Sequence, residues 1–453
     1  MSESVATASA TLKELKERGV RFLLLQFTDL LGVNKAVEIP LSQIPRVLAD
    51  GVPFDGSALE GFARSEEADA LLVPDLSTFR VFPWTAGNGR EASDPSGVVA
   101  RLICDIRYPD GSLFAGCPRT TLKRQIERAT RAGFTARMSC EVEFFLFERG
   151  PRGEPSTRTL DPGGYFDLGS IDRGERTRRL IAATLEDMQL SPTTSHHEAG
   201  RGQHEIDLGP TDPLTMADNL VTFRFVARTL AQLHGLVATV MPKPTFGLNG
   251  SGMHTYHTLL AKGKNAFYDP KGAEQLSDVG RHYLGGMLRH ARGYCAVTNP
   301  LVNSYKRLVG GFEAPVNVSW STHNLSPLIR VPTERGEGTR CENRLPDPAA
   351  NPYLALAVQI AAGLDGIAEK LDPGDPINKN IARMSYRERR RNRIDELPRD
   401  LQEALDYLEK DRVIRDALGE HIYERYVEAK HEEWLAFIEQ VSEWELERYL
   451  GQY

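Results

Sequence analysis

The 453-residue sequence has no apolar run long enough to cross a bilayer. Its first stretch, Met1 to Gly19, is polar and lacks the hydrophobic centre of a secretory signal. Cysteine is scarce. The five present (Cys104, Cys117, Cys140, Cys295 and Cys341) are odd in number and show no paired spacing, which fits free thiols in a reducing cytoplasm rather than a disulfide framework. Basic excess is absent as well: 55 Lys and Arg stand against 62 Asp and Glu, a net charge of −7, and this argues against nucleic acid as the main partner. The basic run Arg387-Glu388-Arg389-Arg390-Arg391-Asn392-Arg393 reads as a solvated loop or a contact between subunits. Internal repeats and low-complexity tracts are missing too, and the remaining composition, 41% hydrophobic and 26% charged, is that of a globular protein. A chain of this length exceeds one comfortable core, so two domains are expected.

The first hundred or so residues read as short strands and turns with one early helix. Arg21 to Phe27 and Val98 to Ile106 are strand-like, and Pro109-Asp110-Gly111 forms a turn. Pro118 then opens a helical pattern carrying Leu122, Ile126 and Ala129, ended by Gly133. The expected boundary falls near Gly111 to Cys117, giving domains 1–112 and 113–453. In the larger one, Pro213 to His234 carries Leu220, Phe223, Val226, Leu230 and Leu233 on one stripe. Pro352 to Ile367 reads as a core helix, and Leu397 to Leu450 as largely helical.

What the sequence has in quantity is acids placed for chemistry. Ser195-His196-His197-Glu198-Ala199-Gly200-Arg201-Gly202-Gln203-His204-Glu205-Ile206-Asp207 sets two polar runs around a glycine turn. Paired as a hairpin, they bring Glu198 and Glu205 close, and two such carboxylates repel unless a cation stands between them. A solvated polar hairpin is the other reading. Glu141-Val142-Glu143 precedes an aromatic run, Phe144 to Phe147, so it is a strand with both glutamates on one face: an ion-paired set or a metal site. Glu342-Asn343-Arg344 repeats that spacing with opposite charges, which suits either a metal-bound anion or a local ion-pair network. Asn249-Gly250-Ser251-Gly252-Met253-His254 allows backbone to approach a small substrate closely, and it lacks the lysine of a Walker loop. Five glutamates and His254 together form an oxygen-rich set suited to Mg²⁺ or Mn²⁺, with more carboxylates than one ion needs. Arg307, Arg330, Arg340 and Arg344 lie downstream as forks for phosphate or carboxylate.

These residues resemble type I glutamine synthetases, especially the Gram-positive-like branch, over nearly the whole length. Phe54-Asp55-Gly56-Ser57, the glutamate strand, the hairpin, Met241-Pro242-Lys243-Pro244, Asn249 to His254, Asn303 to Val309 and Asp347 to Leu354 carry the resemblance. It implies an α+β fold: a small β-grasp-like N-terminal domain beside a larger catalytic domain with antiparallel sheet and helices. It implies a cytoplasmic homo-oligomer, two hexameric rings stacked into a dodecamer, with Trp444 to Tyr453 as the tail that enters the opposite ring. The reaction implied is phosphorylation of the glutamate γ-carboxylate by ATP, then displacement of phosphate by ammonia. By motif position Glu143, Glu198 and Glu205 resemble the ligands of one metal, and Glu141, His254 and Glu342 those of a second. Asn249, Gly250, Arg307 and Arg344 resemble the glutamate-binding groups, and Arg330 and Arg340 the nucleotide-phosphate contacts. Glu313 resembles the glutamate of a closing flap, Asp55 the acid that deprotonates ammonium across a subunit boundary, and Arg64 a feedback-sensing arginine.

Several positions depart from that pattern. Asn324-Leu325-Ser326 stands where the family has Asn-Arg-Ser, which removes a cation expected to cost on the order of 10²-fold in rate. Gly310-Gly311-Phe312 replaces Pro-Gly-Tyr before Glu313 and loosens the flap. Ala199 to Gly202 replaces a Val-Ala-Pro-Gly type turn, Cys140 and Val142 stand where prolines are usual, and Asn343 replaces an apolar residue. The set reads as that of a diverged paralogue. It leaves open a γ-glutamyl–amine ligase acting on a polyamine or alkylamine, or a catalytically impaired sensor. No tyrosine for adenylylation is found in Pro376 to Ala382.

Overall fold

The computed structural model describes residues 11–56, 69–86, 97–311, 313–324, 326–392 and 394–453. Arg64, Leu325 and Phe312, singled out above, lie outside these residues.

Two sheets organise the chain. The smaller contains β1 (Val20–Thr28), β2 (Asn34–Pro40), β3 (Val52–Asp55), β4 (Asp69–Val81) and β5 (Val98–Arg107), in the order β2-β1-β5-β4-β3. Only β1 and β5 run parallel in it. Leu23, Leu25, Leu72, Leu102 and Ile106 fill one face in a core of its own. The larger sheet takes β6 (Thr135–Glu148), β7 (Pro192–His197), β8 (Gln203–Thr211), β9 (Leu236–Thr239), β10 (Met253–Ala261) and β11 (Lys264–Asn265). It also takes β13 (Trp320–Ser321), β14 (Ile329–Arg330) and β15 (Cys341–Asn343). Its order is β13-β14-β15-β10-β6-β8-β7, with β11 beside β10 and β9 beside β6. The short β12 (Asn317–Val318) and β16 (Asp395–Glu396) pair separately.

Alternation along β6 decides the larger sheet's two faces. Met138, Cys140, Val142 and Phe144 are buried against the helices, which leaves Glu141 and Glu143 on the opposite face. The Pro213–Leu233 helix packs under this sheet. Asp212 caps it through the amides of Leu214 and Thr215, both 3.0 Å away, and Pro213 is its first residue. Leu220, Phe223, Val226 and Leu230 are buried as the stripe predicts. Leu233 is not: it is 57% exposed, because the last turn runs beyond the core. The alanine- and leucine-rich Pro352–Ala368 helix is buried along most of its length, capped by Asn351.

Arg119, in the first turn of the Pro118–Arg131 helix, ties the two sheets together. Buried at 3% exposure, it contacts Asp75 of β4 at 2.7 Å, Asp105 of β5 at 2.8 Å and Asp218 of the Pro213–Leu233 helix at 2.9 Å. The Tyr353 hydroxyl also donates to Asp218 at 2.6 Å.

His290 makes a second buried junction, with Nδ1 2.7 Å from Asp411 and Nε2 2.9 Å from Asp365. Burial alone would lower its pKa, but the two carboxylates outweigh burial and raise it. A histidine raised in the fold contributes stability fully below its unfolded value of about 6.5, and that contribution is lost as pH rises through the folded pKa. His290→Gln is therefore expected to melt below the wild type at pH 6, with the gap closing as pH rises above about 6.5 and through the raised folded pKa. Melting curves at stepped pH check this; a gap constant with pH would refute it.

Candidate active site

Strand register assembles the acids. Across β6 and β8, Glu143 faces Glu205 and Glu141 faces Asp207. Across β6 and β10, Glu141 faces His254. Across β10, β15 and β14, Glu342 faces Tyr256 on one side and Arg330 on the other. Since side chains alternate with period two, these pairings lay one row of carboxylates over the exposed face of the sheet.

The hairpin forms with an offset. His196 lies opposite Glu205 and His197 opposite His204, while Glu198 has left the strand and its amide donates to Gln203 O at 2.8 Å. The two glutamates are thus diagonal neighbours rather than direct partners. His196 stands with them, its Nε2 3.1 Å from Glu205 and its Nδ1 3.8 Å from Glu198.

Two groups of donor atoms result. Glu141, His254 and Glu342 form one: His254 Nδ1 is 2.9 Å from Glu141 and 3.5 Å from Glu342. His196, Glu198 and Glu205 form the other. Glu143 sits between them, with Oε1 3.7 Å from His254 Nε2 and Oε2 accepting from Gln203 Nε2 at 2.8 Å and from the Gly252 amide at 3.0 Å. Gly252 allows that approach, since a Cβ there would stand 2.7 Å from an Arg307 nitrogen and 3.0 Å from Glu143 Oε1.

The electrostatics differ between the groups. Burial alone would raise the Glu141 carboxyl, but bonds from His254 and Tyr256 overcome it and hold the pKa at about 2. Glu342 is fully buried and held by Arg330 and by Arg344, whose NH1 is 2.7 Å away. Glu198 and Glu205 are pushed well above the usual carboxylate range by burial, and further by the Glu143 charge. Asp207 is raised by burial too. An oxygen-rich set that cannot all ionise without a cation is what a divalent ion needs, and both groups fit one.

Two clefts share this wall. One, about 440 Å³, is lined by Glu141, Glu143, Glu198, Glu205, His254, Asn249, Gly250, Arg307, Glu313, Arg330 and Arg344, with Tyr165 and His196. The other, about 320 Å³, is lined by Arg137, Tyr256 and Arg340 among others; Glu141 and Asp207 line both. In the first cleft Arg307 is buried, with NH1 2.8 Å from Leu345 O and NH2 3.0 Å from Arg344 O. The buried Nε of Arg344 has no protein partner, which leaves a donor for a bound carboxylate. Glu313 stands at the mouth with φ 60°, a left-handed conformation costly for a glutamate. Arg340 stacks over Tyr256 at 5.2 Å and pairs with Glu334 at 3.0 Å. Arg330 lines the first cleft while paired with Glu342. Asp55 does not join this site: it ends β3 at the edge of the smaller sheet and is exposed.

Gln203, Tyr256, His196 and Asp207 were missed as site residues. Period-two spacing from Glu205 could have found Gln203 and Asp207. Nothing in the sequence marks His196 over His197, because only the register decides which histidine faces the cleft.

A carboxylate-lined double cleft with arginines on a mixed sheet is a site suited to divalent cations and to phosphate or carboxylate groups. The chain matches the family described as "Glutamine synthetase, beta-Grasp domain" over residues 19–109 and "Glutamine synthetase, catalytic domain" over residues 115–449. It is 53% identical to a glutamine synthetase of Thermus thermophilus over 449 residues, covering 99% of each chain. It is 48% identical to one of Methanosarcina mazei over 445 residues, covering 98% of each. A solved GmaS–ADP complex superposes with a TM-score of 0.87 at 33% identity, covering 97% of this chain and 99% of that one. The chain belongs to the glutamine synthetase family.

Proposed function

We propose that this chain forms the amide of the glutamate γ-carboxylate at the expense of ATP, with ammonia as acceptor. The observation that carries the reading is the shared wall: Glu141 and Asp207 border both clefts, so groups bound on either side could exchange a phosphoryl across one carboxylate row. Arg137 and Arg340 give the 320 Å³ cleft its cations for the nucleotide, and Arg330 stands beside Glu342 near the crossing. Arg307 and Arg344, with Asn249 and Gly250, give the 440 Å³ cleft a carboxylate-binding end. Glutamate oxygen bonds to the γ-phosphorus as the bond to ADP breaks. A carboxylate first takes a proton from ammonium; the nitrogen of the ammonia so formed then bonds to the acyl carbon as phosphate leaves, carrying the second proton. Mg²⁺ or Mn²⁺ held by Glu143, Glu198 and Glu205 and by Glu141, His254 and Glu342 would offset charge on the phosphoryl oxygens. Glu313 would close over the acyl phosphate and exclude water.

Asp55 would act from a neighbouring subunit, since it is not among the residues lining the chain's own cleft. Exposed apolar groups on the C-terminal tail, Trp444 at 60% and Leu450 at 77%, support a ring-stacked dodecamer. No helix among the described residues is long and apolar enough to cross a membrane. The five free, buried cysteines fit a reducing compartment such as the cytoplasm.

A second reading, a γ-glutamyl–amine ligase, is compatible with the likeness to GmaS, a γ-glutamylmethylamide synthetase. The open backbone before Glu313 favours it: a Cβ at Gly310 or Gly311 would meet nothing within 4 Å. Phosphate release with glutamate and ATP, measured across ammonium, methylamine and polyamines, separates the two. Turnover with ammonium is expected; turnover with amines alone would install the second reading, and none with any acceptor would sink both. In the same assay Leu325→Arg is expected to raise kcat, by on the order of 10²-fold where the missing cation limits the rate. Unchanged turnover would mean that another group compensates.

A further inference from the structure

Behind the hairpin, on the face away from the clefts, lies a second set of ionisable side chains that the proposed reaction does not use. Asp161, Asp172, His197 and His204 are buried, with donor atoms within 4.8 Å of one another. That spacing would admit a metal, but the set is already neutralised. Arg178 NH1 stands 2.6 Å from Asp172 Oδ2 and 2.9 Å from His204 Nδ1. His197 Nδ1 lies 2.7 Å from the Glu198 carbonyl and its Nε2 3.1 Å from Asp161 Oδ1. Carbonyl and carboxylate oxygens only accept, so His197 serves this set as a donor, and with Arg178 it leaves both buried carboxylates hydrogen-bonded, the condition under which buried acids are tolerated.

The bonds of this set end on the hairpin backbone. Asp161 Oδ1 accepts from the Gly202 amide at 3.1 Å, and His197 donates to the carbonyl of Glu198. The His197 carbonyl in turn accepts from the Phe166 amide at 3.1 Å. Entry to the turn at Glu198 and exit at Gly202 are therefore fastened to one carboxylate. The turn needs this. Its two glycines cost much conformational entropy to order, and the carboxylates that it carries repel each other. Backbone bonds across a glycine turn resist that repulsion poorly; a buried, charge-assisted pair resists it well.

We propose that Asp161 and His197, backed by Arg178, are positioning residues that set where the Glu198 and Glu205 carboxylates stand, and so set the affinity of that cleft for a divalent cation. The inference rests on reading those glutamates as ion ligands.

The test is Mn²⁺ binding, read from the electron paramagnetic resonance of free ion, in the wild type, Asp161→Asn and His197→Gln. Kd is expected to weaken by roughly 10- to 100-fold in the variants, the range typical of lost outer-shell support. At saturating Mn²⁺, kcat should return most of the way towards wild type. A merely structural role would lower the melting temperature and the folded fraction while leaving the Kd of the folded protein unmoved, and that result overturns the proposal. If Asp161→Asn does not fold, His197→Gln carries the same test. A wild type that binds no Mn²⁺ also overturns it. A wild type that binds Mn²⁺ but makes no amide refutes the proposed reaction alone, and a weakened Kd in the variants then still supports the positioning role.

Discussion

Glu205→Gln is expected to abolish divalent-ion binding in the hairpin group, to lower amide synthesis on the order of 10³-fold, and yet to raise the melting temperature of the ion-free protein. The three effects have one cause. Glu205 is 7% exposed and surrounded by carboxylates, with Glu143, Glu141, Asp207 and Glu198 all raising its pKa beyond what burial does. A carboxyl whose pKa is raised in the fold weighs against stability as pH rises above its unfolded value, because the folded state then holds a proton that the unfolded state has released. Glutamine has the same shape without the charge, so the ion-free fold loses a liability. A ligand lost from an ion that offsets several kcal/mol of transition-state charge accounts for the rate. Removing bound divalent ion from the wild type with a chelator should likewise destabilise it more at pH 8 than at pH 6. Calorimetry of both proteins with and without Mn²⁺, alongside the phosphate-release assay, reads all of this. A lower melting temperature for ion-free Glu205→Gln would show that Glu205 serves the fold instead, through its 3.1 Å contact with His196.

Arg119→Ala is expected to be the most damaging single change to stability, about 3–5 kcal/mol. One guanidinium answers Asp75, Asp105 and Asp218; among the described residues Asp105 has a second salt-bridge partner, Lys123 at 2.5 Å, and Asp218 feels the buried Arg101 nearby. Removing Arg119 leaves Asp218, itself 6% exposed, with the Tyr353 hydroxyl as its one remaining side-chain donor among the described residues and Arg101 as a nearby but unbonded cation. The damage should fall on the junction between the sheets. Residues of β4 and β5 should lose hydrogen-exchange protection before those of β6 and β10, and a two-step melt is the signature. Uniform loss of protection across both sheets would mean that the junction does not divide the molecule. Arg119→Lys should recover only part of the loss, because a single ammonium cannot fork among three carboxylates.

Much of this architecture is legible in residues taken singly. Glu141-Val142-Glu143 before four aromatic or aliphatic residues announces a strand with one acidic face, and that strand is β6. Pro213 and Pro352 announce helices that start there. Asp55 and Arg64 were singled out as readily as Glu143, but Asp55 is not among the residues lining this chain's own cleft, its expected role lying across a subunit boundary, and Arg64 lies outside the described residues. Local pattern carries a residue's type and face; it does not carry distance to a residue a hundred positions away.

By itself, then, the sequence determined several of the strands and long helices, which face of β6 is charged, and which acids are available for an ion. These follow from side-chain alternation and helix caps, which act over a few residues. Tertiary structure alone decided that Glu143 faces Glu205, that His196 rather than His197 looks into the cleft, and that Arg330 binds Glu342. It also decided that Arg119 holds two sheets together. Strand register is the physical reason: a shift of one residue would turn every side chain of β8 over, and that register is selected by the long-range packing of Phe144, Ile206 and Phe223 in the core.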